Sequence, residues 1–184
     1  MSAARHDIRD AARICAIAAA AAAAIALLVH AFAAETARDA LAFTFPGIES
    51  TWGGAAAIFA NNARKLAGVL ALALMLQVPW MSGERAADDR PDWHRRLAVF
   101  TDSCLLGVLA ATFLAVAAGI GAYGTRMLAA ILPHGPLELA AFAVAVVLYR
   151  HARRGRVEIR RAAVLAASGL ALLAVAAPVE VFTH

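Results

Sequence analysis

Five long apolar runs constrain the fold of this chain more than any other feature of its sequence. A bilayer core is about 30 Å thick, and an α-helix crosses it with about 20 predominantly apolar residues. Of the 184 residues, 62% are hydrophobic and 16% are charged, which is more apolar surface than a soluble domain of this size can bury. The sequence therefore predicts one all-α domain, a polytopic integral membrane bundle of five transmembrane helices, with spans at about 14–34, 55–79, 97–123, 133–149 and 162–182.

The first run has two interpretations. It follows Arg5, Arg9 and Arg13 and ends in small residues around Ala33, a pattern that is also typical of a cleaved secretory signal peptide. The run is long for the apolar core of a signal peptide. We therefore interpret it as an uncleaved membrane anchor.

The segments between the runs differ in character. Residues 35–54 include aromatic side chains and are predicted to form a loop that lies on the membrane surface, with a short re-entrant segment as the alternative. Residues 82–96 form a polar linker of mixed charge. Within the third run, small residues recur every four positions and favour close approach of another helix; they are Gly107, Ala111, Ala115 and Gly119.

The basic residues indicate how the spans are oriented. If the N-terminus is inside, the inner segments hold 13 of the 17 Lys and Arg residues, leaving only Arg38, Arg64, Lys65 and Arg126 on the outer side. Cytoplasmic segments of membrane proteins carry such an excess. The sequence therefore predicts a cytoplasmic N-terminus and an external C-terminus, and the net charge of +4 is explained by topology rather than by binding to nucleic acid.

This topology brings three polar groups to a similar depth. Asn61 and Asn62 begin the second span, His134 and Glu138 begin the fourth, and Glu180 ends the fifth. At a rise of 1.5 Å per residue, all would lie about 5 to 10 Å below the outer interface. His134 and Glu138 are four residues apart and share one helix face, and a charged group near the bilayer centre costs about 2.5 to 3.5 kcal/mol. These side chains are therefore candidates for a common site, with His30 and Lys65 as additional candidates.

Three segments together resemble the stage II sporulation protein M family. They are the Asn-Asn pair in Phe59–Arg64, the Pro133-His134-Gly135 turn followed by Glu138, and Glu180 in Ala177–Phe182. The resemblance covers the chain from about residue 14 to its end. Members of that family are small multi-spanning membrane proteins that act with cell-wall hydrolases in sporulation, or are encoded with circular bacteriocins. The resemblance implies a bacterial cytoplasmic membrane and a peptide or envelope protein as partner.

The candidate site has three interpretations. The polar groups could form an interhelical hydrogen-bond cluster that fixes the bundle. They could be catalytic, with His134, Glu138 and Glu180 as ligands of a divalent metal such as zinc and Asn61 or Asn62 binding a substrate carbonyl, as in a metal-dependent membrane peptidase or ligase. They could instead bind or transport a peptide, a lipid headgroup or a partner helix without covalent chemistry.

The most basic stretch of the chain, from Arg150 to Arg161, has two interpretations as well. It could meet anionic lipid of the inner leaflet, or it could dock a cytoplasmic ATPase subunit. The resemblance to the stage II sporulation protein M family implies a membrane protein that handles a hydrophobic peptide or an envelope partner at its outer face, in maturation or export of a circular-bacteriocin-like peptide. The alternative is a scaffold without activity that assembles proteins of peptidoglycan remodelling.

Overall fold

A computed structural model describes residues 2–43, 51–78, 92–155 and 157–183 of the chain. These residues form seven helices and no strand, which confirms the all-α prediction. The helices are α1 (Ser2–Phe32), α2 (Ala34–Leu41), α3 (Trp52–Met75), α4 (Asp92–Tyr123), α5 (Thr125–Ile131), α6 (Gly135–Arg154) and α7 (Ile159–Phe182).

Four of these helices, α1, α3, α4 and α7, are long and apolar enough to cross a membrane. Helices α5 and α6 pass the same test together but are bent by 63° at the break between them. Large aliphatic side chains face outward along the helices; Ile17 and Leu27 are each 70% exposed, and Leu106 is 68% exposed. Contiguous apolar surface of this kind is unusual in water. The helices therefore indicate a multi-pass membrane protein with four or five spans.

Helix α6 lies at the centre of the bundle and packs against α1, α3 and α7, while α4 packs mainly on α1 and α2. The core joins Leu66 and Val69 of α3 to Ala141 and Val147 of α6 and to Leu173 of α7. Alanines along α6 leave room for its neighbours, because a small side chain lets two helix backbones approach closely.

Contacts between helix ends show that consecutive long helices alternate in direction. At one end, Asp7 of α1 bonds to Arg161 at the start of α7. At the other end, Trp52 at the start of α3 lies against Phe182 at the end of α7, with ring centroids 5.0 Å apart. We call the first the arginine-rich end, because the arginines of α6 and α7 lie there, and the second the opposite end.

The prediction of a loop at residues 35–54 is wrong for its first part, because residues 34–41 form α2. Helix α2 is held on the end of α4, where the Arg38 Nε donates to the Ala122 carbonyl at 2.7 Å. The Tyr123 hydroxyl donates to the Arg38 carbonyl at 3.2 Å and accepts from the Phe43 amide at 3.1 Å. These partners are about 80 residues apart in sequence, so the contacts that hold α2 cannot be predicted from its local composition.

Helix bounds differ from the predicted spans mainly where charged residues continue a helix beyond its apolar run. Helix α1 begins at Ser2 instead of 14, and α6 ends at Arg154 instead of 149. The predicted fourth span is also interrupted at its start, because Pro133 and His134 lie in the break before α6. Residues 44–50, the end of the predicted second span at 79, most of the polar linker and Arg156 lie outside the described residues.

The small residues of α4 approach other parts of the chain at only some of the predicted positions. A Cβ added at Gly107 would meet no atom within 4 Å, whereas one added at Gly119 would lie 2.9 Å from the Met127 Cε. The tightest approach is at Gly121, outside the predicted series, where an added Cβ would lie 2.5 Å from the Ala26 carbonyl oxygen of α1. Helices α1 and α4 therefore meet most closely near the opposite end of the bundle.

Candidate functional site

The polar side chains at the opposite end are positioned by α3, α6, α7 and the break before α6. His134 is the N-cap residue of α6, and its carbonyl accepts from the Leu137 and Glu138 amides at 3.0 and 3.2 Å. Pro136 stands in the first turn, where the missing N–H costs no helical hydrogen bond. The His134 side chain makes no cap hydrogen bond, which leaves the imidazole to face the bundle.

Two contacts between helices define the site. The Asn62 Nδ2 of α3 donates to the Glu138 Oε1 of α6. The His134 Nε2 lies 3.7 Å from the Glu180 Oε2 of α7, and the two side chains are only 10% and 20% exposed. Glu180 and Lys65 also lie near Glu138. We call these residues the polar cluster; they are Asn62, Lys65, His134, Glu138 and Glu180.

Two of the predicted site residues lie apart from the polar cluster. Asn61 is exposed on α3, because neighbouring residues on a helix point about 100° apart. His30 is also exposed, and its Nδ1 lies 3.3 Å from the Gly121 carbonyl at the end of α4. His30 therefore contacts the junction of α1 and α4.

The metal prediction has no support from the arrangement of side chains. Among the residues that the structure describes, which include His134, Glu138 and Glu180, no three His, Cys, Asp or Glu side chains form a group that could hold a metal ion. One oxygen of Glu138 faces the amide N–H of Asn62, which is a hydrogen-bond donor and not a metal ligand. The arrangement is that of a hydrogen-bonded polar cluster.

The polar cluster lies at a break in the helical backbone, because His134 stands between α5 and α6. Backbone that leaves the helical conformation within a membrane is tolerated only where protein surrounds it or where it lines an aqueous cavity. Broken helices that meet polar side chains are also a common way to build binding sites in membrane transporters. The polar cluster therefore combines two acidic groups, an amide, an imidazole and one lysine with an interrupted helix, which suits the binding of a polar or cationic group.

A second set of polar contacts, which the sequence analysis missed, lies at the arginine-rich end. Asp7 of α1 is 7% exposed, and its carboxylate accepts from the Arg161 Nε at 3.0 Å and lies 2.8 Å from the His151 Nε2. One carboxylate thus joins α1, α6 and α7. A detectable signal exists in the sequence, because Asp7 and Asp10 stand three residues apart among arginines and so share one face of α1.

Three further side chains, those of Tyr149, Arg153 and Gln77, make contacts between elements at this end. The Tyr149 hydroxyl of α6 donates to the Asp102 Oδ1 of α4 at 2.6 Å, and the Arg153 Nε donates to the other carboxylate oxygen at 3.3 Å. The Gln77 side chain, just after α3, donates to the Gly155 carbonyl at 3.1 Å and accepts from the Val157 amide at 2.8 Å. Gln77 thereby satisfies backbone groups of the α6–α7 turn that would otherwise be left without helical partners.

Comparison with protein-family models, with characterised proteins and with solved structures finds no match to this chain.

Proposed function

We propose that this protein is a bacterial inner-membrane protein of the stage II sporulation protein M type that binds a hydrophobic, cationic peptide at its outer face, in the maturation or export of that peptide. The single observation that supports the proposal best is the polar cluster, in which Asn62, Glu138, His134 and Glu180 meet from three helices at a helix break. Ionisable residues inside a membrane bundle commonly mark a substrate or ion pathway.

The chemistry of the polar cluster favours a cationic group as ligand. Glu138 and Glu180 bring two carboxyl groups into one cluster, and a lysine side chain or an amino terminus between them would donate charge-assisted hydrogen bonds to both. The outward-facing aliphatic side chains of the bundle suit a partner that itself lies in the membrane. A hydrophobic peptide with a positive charge near its outer end meets both requirements.

The proposed orientation has five spans, with α5 and α6 together as one, a cytoplasmic N-terminus and an external C-terminus. The distribution of 13 basic residues against four supports it, as does the alternation of helix direction. We expect an impermeant maleimide to label Thr183→Cys in intact cells, and Arg5→Cys only after permeabilisation, in a Cys15→Ser/Cys104→Ser background. Labelling of Arg5→Cys in intact cells would contradict the orientation.

A peptide-binding measurement tests the proposed function. The probe is a leucine-alanine helix of about 20 residues with one lysine near its outer end, and the reference is the same peptide with glutamine in place of that lysine. We expect Glu138→Gln and Glu180→Gln each to weaken binding of the lysine peptide at least about tenfold, because a hydrogen bond to a charged group contributes about 1.5 to 3 kcal/mol. Binding is measured by fluorescence anisotropy in detergent micelles.

The matched control is Glu35→Gln, which makes the same chemical change on the exposed surface of α2 and should leave binding unchanged. Equal affinity of the native protein for the lysine and glutamine peptides would overturn the proposal. The scaffold alternative is favoured by one observation, that members of the polar cluster contact one another. If Glu138→Gln lowers thermal stability and the native protein does not distinguish the peptides, the cluster fixes the bundle for assembly of envelope proteins.

A further inference from the structure

At the arginine-rich end of α1, the acidic side chains are buried in the bundle and the basic side chains are exposed on its surface. On α1, Asp7 and Asp10 are buried, whereas Arg5, Arg9 and Arg13 are exposed at every fourth position. Residues four apart share one face of a helix, so the three arginines form a stripe on the outside of α1. The stripe ends at Arg13, directly before the apolar run, which is the depth at which lipid headgroups meet a membrane helix.

Helices α6 and α7 repeat this separation. His151 and Arg161 turn inward to Asp7, whereas Arg150, Arg154 and Arg160 are exposed. Because Asp7 holds the start of α1, the end of α6 and the start of α7 together, exposed arginines from three helices lie at the same end of the bundle. Two of the acidic side chains at this end bind other residues, since Asp7 binds Arg161 and Asp102 binds Tyr149 and Arg153, whereas Glu158 is exposed beside Arg160.

We propose that the junction of α1, α6 and α7 is a binding site for the phosphate headgroup of an anionic phospholipid. Basic residues that converge between membrane helices on the cytoplasmic side bind doubly charged headgroups such as that of cardiolipin. Arginine suits this ligand, because its planar guanidinium donates two parallel hydrogen bonds to phosphate oxygens. Two headgroup phosphates would be shared by the stripe on α1 and by the pair on α6. The inference depends on the membrane orientation but not on the peptide-binding proposal.

The test is thermal unfolding of the purified protein in neutral detergent with increasing cardiolipin, phosphatidylglycerol or phosphatidylcholine. We expect cardiolipin to raise the melting temperature most, phosphatidylglycerol less and phosphatidylcholine not at all. Arg150→Gln/Arg154→Gln should weaken the apparent cardiolipin affinity roughly thirtyfold, since two surface basic residues contribute about 1 kcal/mol each and 1.4 kcal/mol is tenfold. Arg5→Gln/Arg9→Gln should have a similar effect.

The matched control is Arg64→Gln/Arg126→Gln, which removes two exposed arginines near the opposite end of the bundle and should leave the cardiolipin response unchanged. Equal stabilisation by phosphatidylcholine, an equal loss in the control, or full stabilisation by inorganic phosphate would each overturn the proposal. A patch that serves only to dock a cytoplasmic ATPase would show no lipid selectivity, and this result would also overturn it. None of these outcomes changes the response to the lysine peptide, so the two proposals fail separately.

Discussion

Replacement of Arg161 by alanine is expected to lower the free energy of unfolding by about 3 kcal/mol, because it leaves the buried carboxylate of Asp7 without its principal partner. Removing one member of a buried ion pair costs about 3 to 5 kcal/mol. The lower value of this range applies because the Arg161 side chain is 32% exposed to solvent. The measurement is unfolding in mixed micelles of a neutral detergent and dodecyl sulfate, followed by circular dichroism.

The control for this prediction is the neighbouring residue. Arg160→Ala removes the same side chain from an exposed position and should change the free energy of unfolding by no more than about 0.5 kcal/mol. If the two substitutions cost the same, the contact with Asp7 does not stabilise the bundle. Asp7→Asn combined with Arg161→Ala should cost less than the sum of the single changes, because residues in direct contact are coupled by about 0.5 to 3 kcal/mol.

The long helices and the pairing of polar groups at the opposite end are the parts of this structure that the sequence predicts. The apolar runs predict the long helices, because crossing a bilayer imposes a length and a composition on each span. The alignment of Asn62 with Glu138, and of His134 with Glu180, follows from a common depth once the direction of each span is assigned. The structure brings both pairs together.

Contacts between distant turns and helix ends are the part that sequence does not reveal. Helix α2 depends on Arg38 and Tyr123, which meet only after α4 is in place. Gln77 looks like a polar residue closing an apolar run, yet it binds backbone groups of the α6–α7 turn. Hydropathy is averaged over windows of about 19 residues. A single side chain that satisfies a distant backbone group therefore cannot be detected from hydropathy.

The same limit applies to the direction in which a side chain points. Asn61 and Asn62 are the same residue type at nearly the same depth, but only Asn62 contacts Glu138. A helical wheel separates the two residues by about 100° but does not say which faces the bundle. For this reason the sequence predicts both residues in one site, whereas the packing of α3 against α6 distinguishes them.

Replacement of Gly121 by alanine is expected to destabilise the bundle by about 3 kcal/mol, because the new Cβ would lie 2.5 Å from the Ala26 carbonyl oxygen and 2.8 Å from the Val29 Cβ. The carbonyl belongs to the backbone of α1 and cannot rotate away, so the two helices must separate. Overpacking of this kind costs about 1 to 3 kcal/mol, and occasionally more. The same unfolding titration measures the loss.

The matched control, Gly107→Ala, makes the same change on the same helix, at a position where an added Cβ meets no atom within 4 Å. It should be neutral or stabilising by up to about 1 kcal/mol, since alanine has the higher helix propensity. Equal losses in the two variants would mean that the cost comes from the helix itself and not from α1. A loss confined to Gly121→Ala would instead assign it to the closest approach of α1 and α4. Because the His30 imidazole lies 3.3 Å from the Gly121 carbonyl, separation of the helices should also break that contact and loosen the junction that carries α2.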